Sequence, residues 1–248
     1  MELREFFSQQ KRLALAFSGG VDSAYLLYAA VKAGADVKAY YVKSAFQPEF
    51  ELRDAQRLAE ELDAKMEIIP VDVLCDETIA ANPSNRCYYC KKRIFTAIAD
   101  AAARDGYSVL MDGTNASDDA SDRPGIRALQ EMQVRSPLRE CGITKAQVRQ
   151  FSREAGLFTW DKPAYACLAT RIPTGERITH DKLMRTEQAE ELLDEMGFRD
   201  FRVRLMGEDA KIQLREEQLP LLMERRCELL EQLRPMYRNV LLDLEVRK

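Results

Sequence analysis

One histidine in 248 residues is too few for a site built from several imidazoles. That residue, His180, stands between Thr179 and Asp181 at an expected helix start, where solvation or capping suits it better than catalysis. Long apolar runs are missing as well. None approaches the ~20 residues of a membrane span, and Met1-Glu2-Leu3-Arg4-Glu5 is charged where a signal peptide would be apolar. A cytoplasmic protein with no membrane partner is the expectation. Basic excess is absent too: 37 Lys and Arg stand against 41 Asp and Glu. The resulting pI of about 5.4 argues against general nucleic-acid binding. No internal repeat or low-complexity segment occurs. What the chain does have is a hydrophobic fraction of 46%, ample for a core, and six cysteines. Disulfides are disfavoured in a reducing compartment, so these thiols are candidates for metal, cluster or sulfur chemistry.

The chain is organised around Ser18-Gly19-Gly20-Val21-Asp22-Ser23. The apolar run Leu13-Ala14-Leu15-Ala16-Phe17 leads into it, and Ala24 to Lys32 follows with helical periodicity. Strand, glycine turn and helix make a phosphate site. The glycines admit backbone amides close to a phosphate, Ser18 and Ser23 offer hydroxyls, and the helix start adds its positive dipole end. A Walker loop is excluded, since GxxxxGK[ST] needs a lysine that this segment lacks. The residues resemble the PP-loop of ATP pyrophosphatases, enzymes that cleave ATP between its α and β phosphates.

Strands are expected at about 12–17, 37–42, 65–71 and 108–112, separated by helices at about 22–33, 49–62 and 90–104. Such alternation predicts an α/β fold, a parallel sheet with helices on both faces. Residues 76–89 read as a loop, as do Gly113 to Asp119 and Arg123-Pro124-Gly125. Residues 134–138 read as a fifth strand or its stub. Thr144 caps a helix over 145–155. After Thr179 the pattern changes to helix (181–196), strands (201–206 and 210–214), helix (217–233) and strand (240–246). A small C-terminal α+β module is expected, with domains at 1–178 and 179–248.

Cys87-Tyr88-Tyr89-Cys90 is a CxxC beside Arg86, Lys91, Lys92 and Arg93. Cations favour the thiolate, the form that binds metals and attacks electrophiles. The Lys91-Lys92-Arg93 run equally suits a solvated helix face. Cys167 lies in an irregular, proline-flanked segment. Three thiolates suit three irons of a [4Fe-4S] cluster with the fourth left open, or most of a zinc site. Cys75, Cys141 and Cys227 have no partner spacing and read as packing or partly buried thiols. Trp160, Tyr88 and Tyr89 suit core packing or stacking on a ring.

SGGVDS at 18–23, DGTNASD at 112–118, RPG at 123–125, RSPL at 135–138, CLATRIP at 167–173 and RVRLMG at 202–207 together resemble one family. It is the LarE-type sulfur transferases, which act in building the nickel-pincer nucleotide cofactor. The resemblance implies adenylation of the carboxylates of pyridinium-3,5-biscarboxylic acid mononucleotide, a small pyridinium nucleotide, followed by sulfur insertion to give thiocarboxylates. It implies ATP with Mg2+ at residues 18–23, with Asp22 partly holding the metal, and at Gly113, Thr114 and Asn115. It assigns Arg202 and Arg204 to the substrate phosphate, with Arg171 assisting and Glu190 nearby. Two arginines at i and i+2 on a strand share a face. The family has two sulfur supplies. In one, the cysteine matching Cys167 gives up its own sulfur. In the other, that cysteine joins a CxxC to hold an oxygen-labile [4Fe-4S] cluster, fed by sulfide or another sulfur donor. The CxxC here favours the cluster, with Cys87, Cys90 and Cys167 as ligands. A homo-oligomer is expected from related proteins. The competing readings are a PP-loop tRNA thiolase, a PP-loop amidotransferase lacking its ammonia source, and a nucleotide sensor without turnover.

Overall fold

Alternation along the first strand sets the layers. In the computed structural model, which describes residues 2–10, 12–118 and 124–247, Leu13 and Leu15 enter one apolar core. Ala14 between them enters another, on the opposite face of the sheet. The neighbouring strand divides in the same way: Ala39 and Tyr41 face the first core, and Tyr40 and Val42 the second. A sheet buried on both faces needs helices on both, as in all-parallel α/β folds.

The elements run α1 (Leu3–Gln9), β1 (Arg12–Ala16), α2 (Val21–Lys32), β2 (Asp36–Lys43), α3 (Glu49–Glu61) and β3 (Lys65–Pro70). A short α4 (Glu77–Ala80) precedes α5 (Arg86–Arg104), β4 (Val109–Met111), α6 (Pro124–Glu131), α7 (Pro137–Glu140) and α8 (Lys145–Glu154). The four parallel strands lie in the order β3-β2-β1-β4. The chain builds outward from β1 to β3 and then returns to β1's other side. The order therefore reverses between β1 and β4, and the carboxyl ends of those strands flank a crevice, the usual ligand position in open α/β sheets.

Two local expectations need correction. Residues 76–89 are not all loop: α4 is capped by Asp76, whose carboxylate accepts the Thr78 and Ile79 N–H groups, and α5 begins at Arg86, so the CxxC lies within its first turns. The segment after Arg123 is helical from Pro124, consistent with proline's fixed φ at a first helical position. Arg123 itself lies outside the described residues. Of the two readings of residues 134–138 the stub holds: one parallel bridge joins Met111 to Arg135, because Pro137 starts α7 two residues later.

The chain divides into two compact units, residues 1–73 with 85–165, and residues 74–84 with 166–248. In the second, a 3-10 turn (Leu168–Arg171) and α9 (His180–Glu195) precede β5 (Arg202–Met206) and β6 (Asp209–Gln213), and α10 (Leu219–Leu233) precedes β7 (Val240–Leu242). β5 and β6 are antiparallel, and β6 and β7 parallel. Residues 74–84 join this unit through backbone bonds, with Gly175 N–H donating to Asn82 O and Ile178 N–H to Ala80 O at 2.8 Å each. Residues 166–178, expected with the first domain, cluster with it too. His180 opens α9, exposed, next to the capping Thr179. No described helix is long and apolar enough to cross a membrane.

Candidate active site

The turn after β1 is tied by its own serines. Ser18 N–H donates to Ser23 Oγ at 3.3 Å, the two hydroxyls lie 3.1 Å apart, and Ser23 Oγ reaches Gly20 O at 3.1 Å. Gly19 has φ +70°, and a Cβ there would lie 3.1 Å from Ala55 Cβ and 3.2 Å from Glu51 O, so α3 leaves no room for a side chain. Gly20 caps α2, whose first-turn N–H groups point out of the turn. From the other side comes the loop after β4. A Cβ on Gly113 would stand 2.8 Å from Ser23 N, which explains glycine at this point of contact between the two motifs.

Asp112 anchors that loop. Its buried carboxylate accepts Thr114 Oγ1 at 2.5 Å, Thr114 N–H at 3.2 Å and Ser136 Oγ at 2.7 Å. Asn115, also buried, receives an N–H bond from Ser117 at 2.8 Å and donates Nδ2 to Asp22 Oδ1 at 3.3 Å. Asp22 Oδ2 meets Lys145 Nζ at 2.5 Å. Between these segments and β2 lies a cavity of about 340 Å³, bordered by Gly20, Asp22, Tyr40, Lys91, Asp112 and Thr114. The sequence-predicted residues 18–23 and 113–115 thus meet at one place, the reversal point of the sheet. Among them Ser18, Gly20, Asp22, Ser23, Gly113 and Thr114 border the cavity itself.

One carboxylate facing such a cavity suits Mg2+, which binds through one or two carboxylates together with substrate phosphates and water. Its chemistry fits Asp22. Among the described residues no group of three His, Cys, Asp or Glu side chains is gathered as a metal site. That bears on the cysteines. Cys87 is exposed and Cys90 half-buried, three residues apart on α5 and so on one helix face, while half-buried Cys167 precedes the 3-10 turn of the second unit. Of the flanking cations, Lys91 borders the cavity, Lys92 bonds Glu131 and Tyr88, and Arg86 is buried near the Phe46 ring.

In the second unit the four remaining candidates come together. Arg171, 1% exposed, bonds Glu190 through Nε at 2.7 Å and Nη2 at 3.0 Å. Glu190 Oε1 also accepts Val203 N–H at 2.9 Å, locking α9 to β5. Arg204 donates to Thr170 O at 2.8 Å and Gln213 Oε1 at 2.6 Å. Arg202 is buried, and burial, then the charges of Arg171 and Arg247, push its guanidinium down to about 10. Arg204 is lowered by the same causes in the same order. The four guanidiniums of Arg171, Arg202, Arg204 and Arg247 share a region with the carboxylates of Glu190, Asp200 and Asp243. Several guanidiniums in one region suit the binding of an anion.

Lys145 and Arg247 had no visible signal, whereas Asp112 opens the DGTNASD segment without having been singled out. Lys145 follows a cap residue whose pattern speaks only of a helix start, and Arg247 stands in a segment read merely as a strand end and its tail.

Comparison with known proteins gives four relevant likenesses. A family model described as queuosine biosynthesis protein QueC matches residues 12–85. The chain is 40% identical to an uncharacterised protein of Synechocystis sp., over 88% of this chain and 81% of that protein. It is 36% identical to the pyridinium-3,5-bisthiocarboxylic acid mononucleotide synthase of Lactiplantibacillus plantarum, over 84% of this chain and 76% of that protein. A tRNA-specific 2-thiouridylase of Frankia alni is 30% identical, but over only 61% of this chain and 53% of that protein.

Proposed function

Because the chain belongs to the LarE family of ATP-dependent sulfur transferases of the PP-loop superfamily, we propose that it adenylates the carboxylates of pyridinium-3,5-biscarboxylic acid mononucleotide and replaces oxygen by sulfur. The observation that carries the reading is the cavity at the β1/β4 reversal, bordered by both the SGGVDS and the DGTN segments. A carboxylate is a poor electrophile. Its oxygen attacks the α phosphorus, the bond to the bridging oxygen breaks, and pyrophosphate leaves. The α2 N-terminus and the turn amides are placed to receive phosphate oxygens, and Asp22 would hold Mg2+, which when bound would offset charge on the departing group. A sulfur nucleophile then attacks the activated carbonyl carbon, the C–S bond forms, and AMP departs with the C–O electrons. The repeat at the second carboxylate gives the dithio product that binds nickel.

Residues 1–178 carry the ATP chemistry in this reading, and residues 179–248 bind the substrate and support a homo-oligomer. Arg202 and Arg204 hold the substrate phosphate. The Arg171–Glu190 pair positions them: Glu190 fixes the β5 backbone beside Arg202. For sulfur we propose a [4Fe-4S] cluster on Cys87, Cys90 and Cys167, supported by the paired thiols on one face of α5. When bound, such a cluster supplies an open iron able to carry an extra sulfide. The position of Cys167 in the CLATRIP segment supports a second supply, in which its thiolate Sγ attacks the activated carbonyl carbon as AMP departs, and loss of the Cα proton then breaks the Cβ–S bond, leaving dehydroalanine and the thiocarboxylate. The test of the function is mass analysis of the pyridinium nucleotide after incubation with ATP, Mg2+ and sulfide under anaerobic conditions. Exchange of oxygen for sulfur, with AMP formed, is expected. AMP formation without sulfur in the product would overturn the transfer step.

A further inference from the structure

The carboxylate expected to hold Mg2+ already has a cation on it. Lys145 Nζ lies 2.5 Å from Asp22 Oδ2, from a residue 123 positions away in the chain. Helix stability does not account for this lysine. Lys145 is the first residue of α8, where the helix's positive end disfavours a cation, and the reciprocal Thr144–Gln147 box already caps the helix. Its position is instead fixed from the site. Lys145 N–H donates to Ser117 Oγ at 3.0 Å, and Ser117 N–H bonds the Asn115 side chain that in turn reaches Asp22. One loop therefore sets both partners of one carboxylate. The pair is partly open, with the lysine and aspartate side chains 33% and 23% exposed, so its ends can exchange partners.

We propose that Lys145 is an exchangeable countercharge for the triphosphate. The proposal rests on the reading of residues 18–23 as the ATP site. Without nucleotide, the ammonium neutralises Asp22 and keeps a free divalent cation off it. When Mg·ATP enters, Mg2+ and the ammonium compete for Oδ2, and like-charge repulsion moves the lysine to the anion just delivered. A compact charge on a flexible stem suits that exchange, and lysine is a common phosphate ligand. The ammonium then faces the phosphates on which negative charge grows as pyrophosphate leaves. The site stays near charge balance in both states.

The test uses the full chain and its Lys145→Met and Lys145→Gln variants, each checked by thermal melting. Mn2+ alone is titrated by electron paramagnetic resonance, and Mg·ATP binding is measured by calorimetry. Removing the ammonium is expected to tighten Mn2+ binding without nucleotide and to weaken Mg·ATP binding, each by roughly tenfold. Folded variants with both affinities unchanged would overturn the role of Lys145 while leaving the ATP site standing. Failure of the unsubstituted protein to bind Mg·ATP would overturn the ATP site, and this proposal with it.

Discussion

Gly113 and Glu190 show how single positions constrain the two sites. A methyl group at 113 would meet Ser23 backbone nitrogen at 2.8 Å, with Ser23 Cα at 3.1 Å, so neither a rotamer change nor a flexible neighbour can relieve it. Gly113→Ala is expected to cost about 1–3 kcal/mol of stability and to weaken ATP binding, read by thermal melting and calorimetry. An unchanged nucleotide affinity would contradict the packing of the two motifs. Glu190→Gln leaves Arg171, 1% exposed, without its anionic partner. Breaking a buried pair in this way should cost about 3–5 kcal/mol in urea unfolding, whereas loss of an exposed pair would cost under about 1 kcal/mol. At this scale the sequence was partly readable. DGTN could be recognised as a pattern, but the reason for its glycine is a contact across about ninety positions, which no local signal carries. Arg171 and Glu190 were singled out through family pattern alone, and their mutual bond follows from how α9 meets the 3-10 turn.

Elements were more legible than contacts. Periodicity located β1, α2, β2, α3 and β3 closely, because each carries apolar residues at strand or helix spacing and is bounded by glycine, proline or charge. The start of α5 was missed: residues 82–85 are rich in turn signals, and Asn85 precedes the helix without any side-chain cap bond. The end of α5 joins a charged network that makes a pH prediction. Asp105 accepts from Lys38 at 2.5 Å and Tyr40 at 2.6 Å, and Lys38, then Tyr40, hold its carboxyl below the ordinary value of 3.8. A depressed carboxyl stabilises the fold above its unfolded value, and that contribution is lost as pH falls through the folded one. Asp105→Asn should therefore lower the Tm by a constant amount between about pH 5 and 8. The gap should narrow in acid below 3.8. A gap that persists there would assign the effect to packing rather than to charge.

For the whole molecule, the parallel α/β class followed from the alternation of elements, and the reversal of strand order between β1 and β4 could only be seen in three dimensions. The two compact units did not follow the expected break near 178, because residues 74–84 return to pair with the segment after Ala166. No linear boundary describes that. The cysteines belong to this scale as well. Anaerobic reconstitution, with iron and acid-labile sulfide counted, is expected to give about four irons per chain and to lose them in Cys87→Ala. Absence of iron would transfer the sulfur supply to Cys167 and limit each copy to one transfer.

The central claim is an ATP-consuming activation of a pyridinium carboxylate. Its most direct measurement is pyrophosphate release from ATP and Mg2+, with the pyridinium biscarboxylate mononucleotide or bulk tRNA as the alternative acceptor. Release that depends on the pyridinium nucleotide, is unaffected by tRNA and falls in Asp22→Asn is the predicted result. Release stimulated by tRNA and indifferent to the pyridinium nucleotide would contradict it, and would move the enzyme to RNA thiolation.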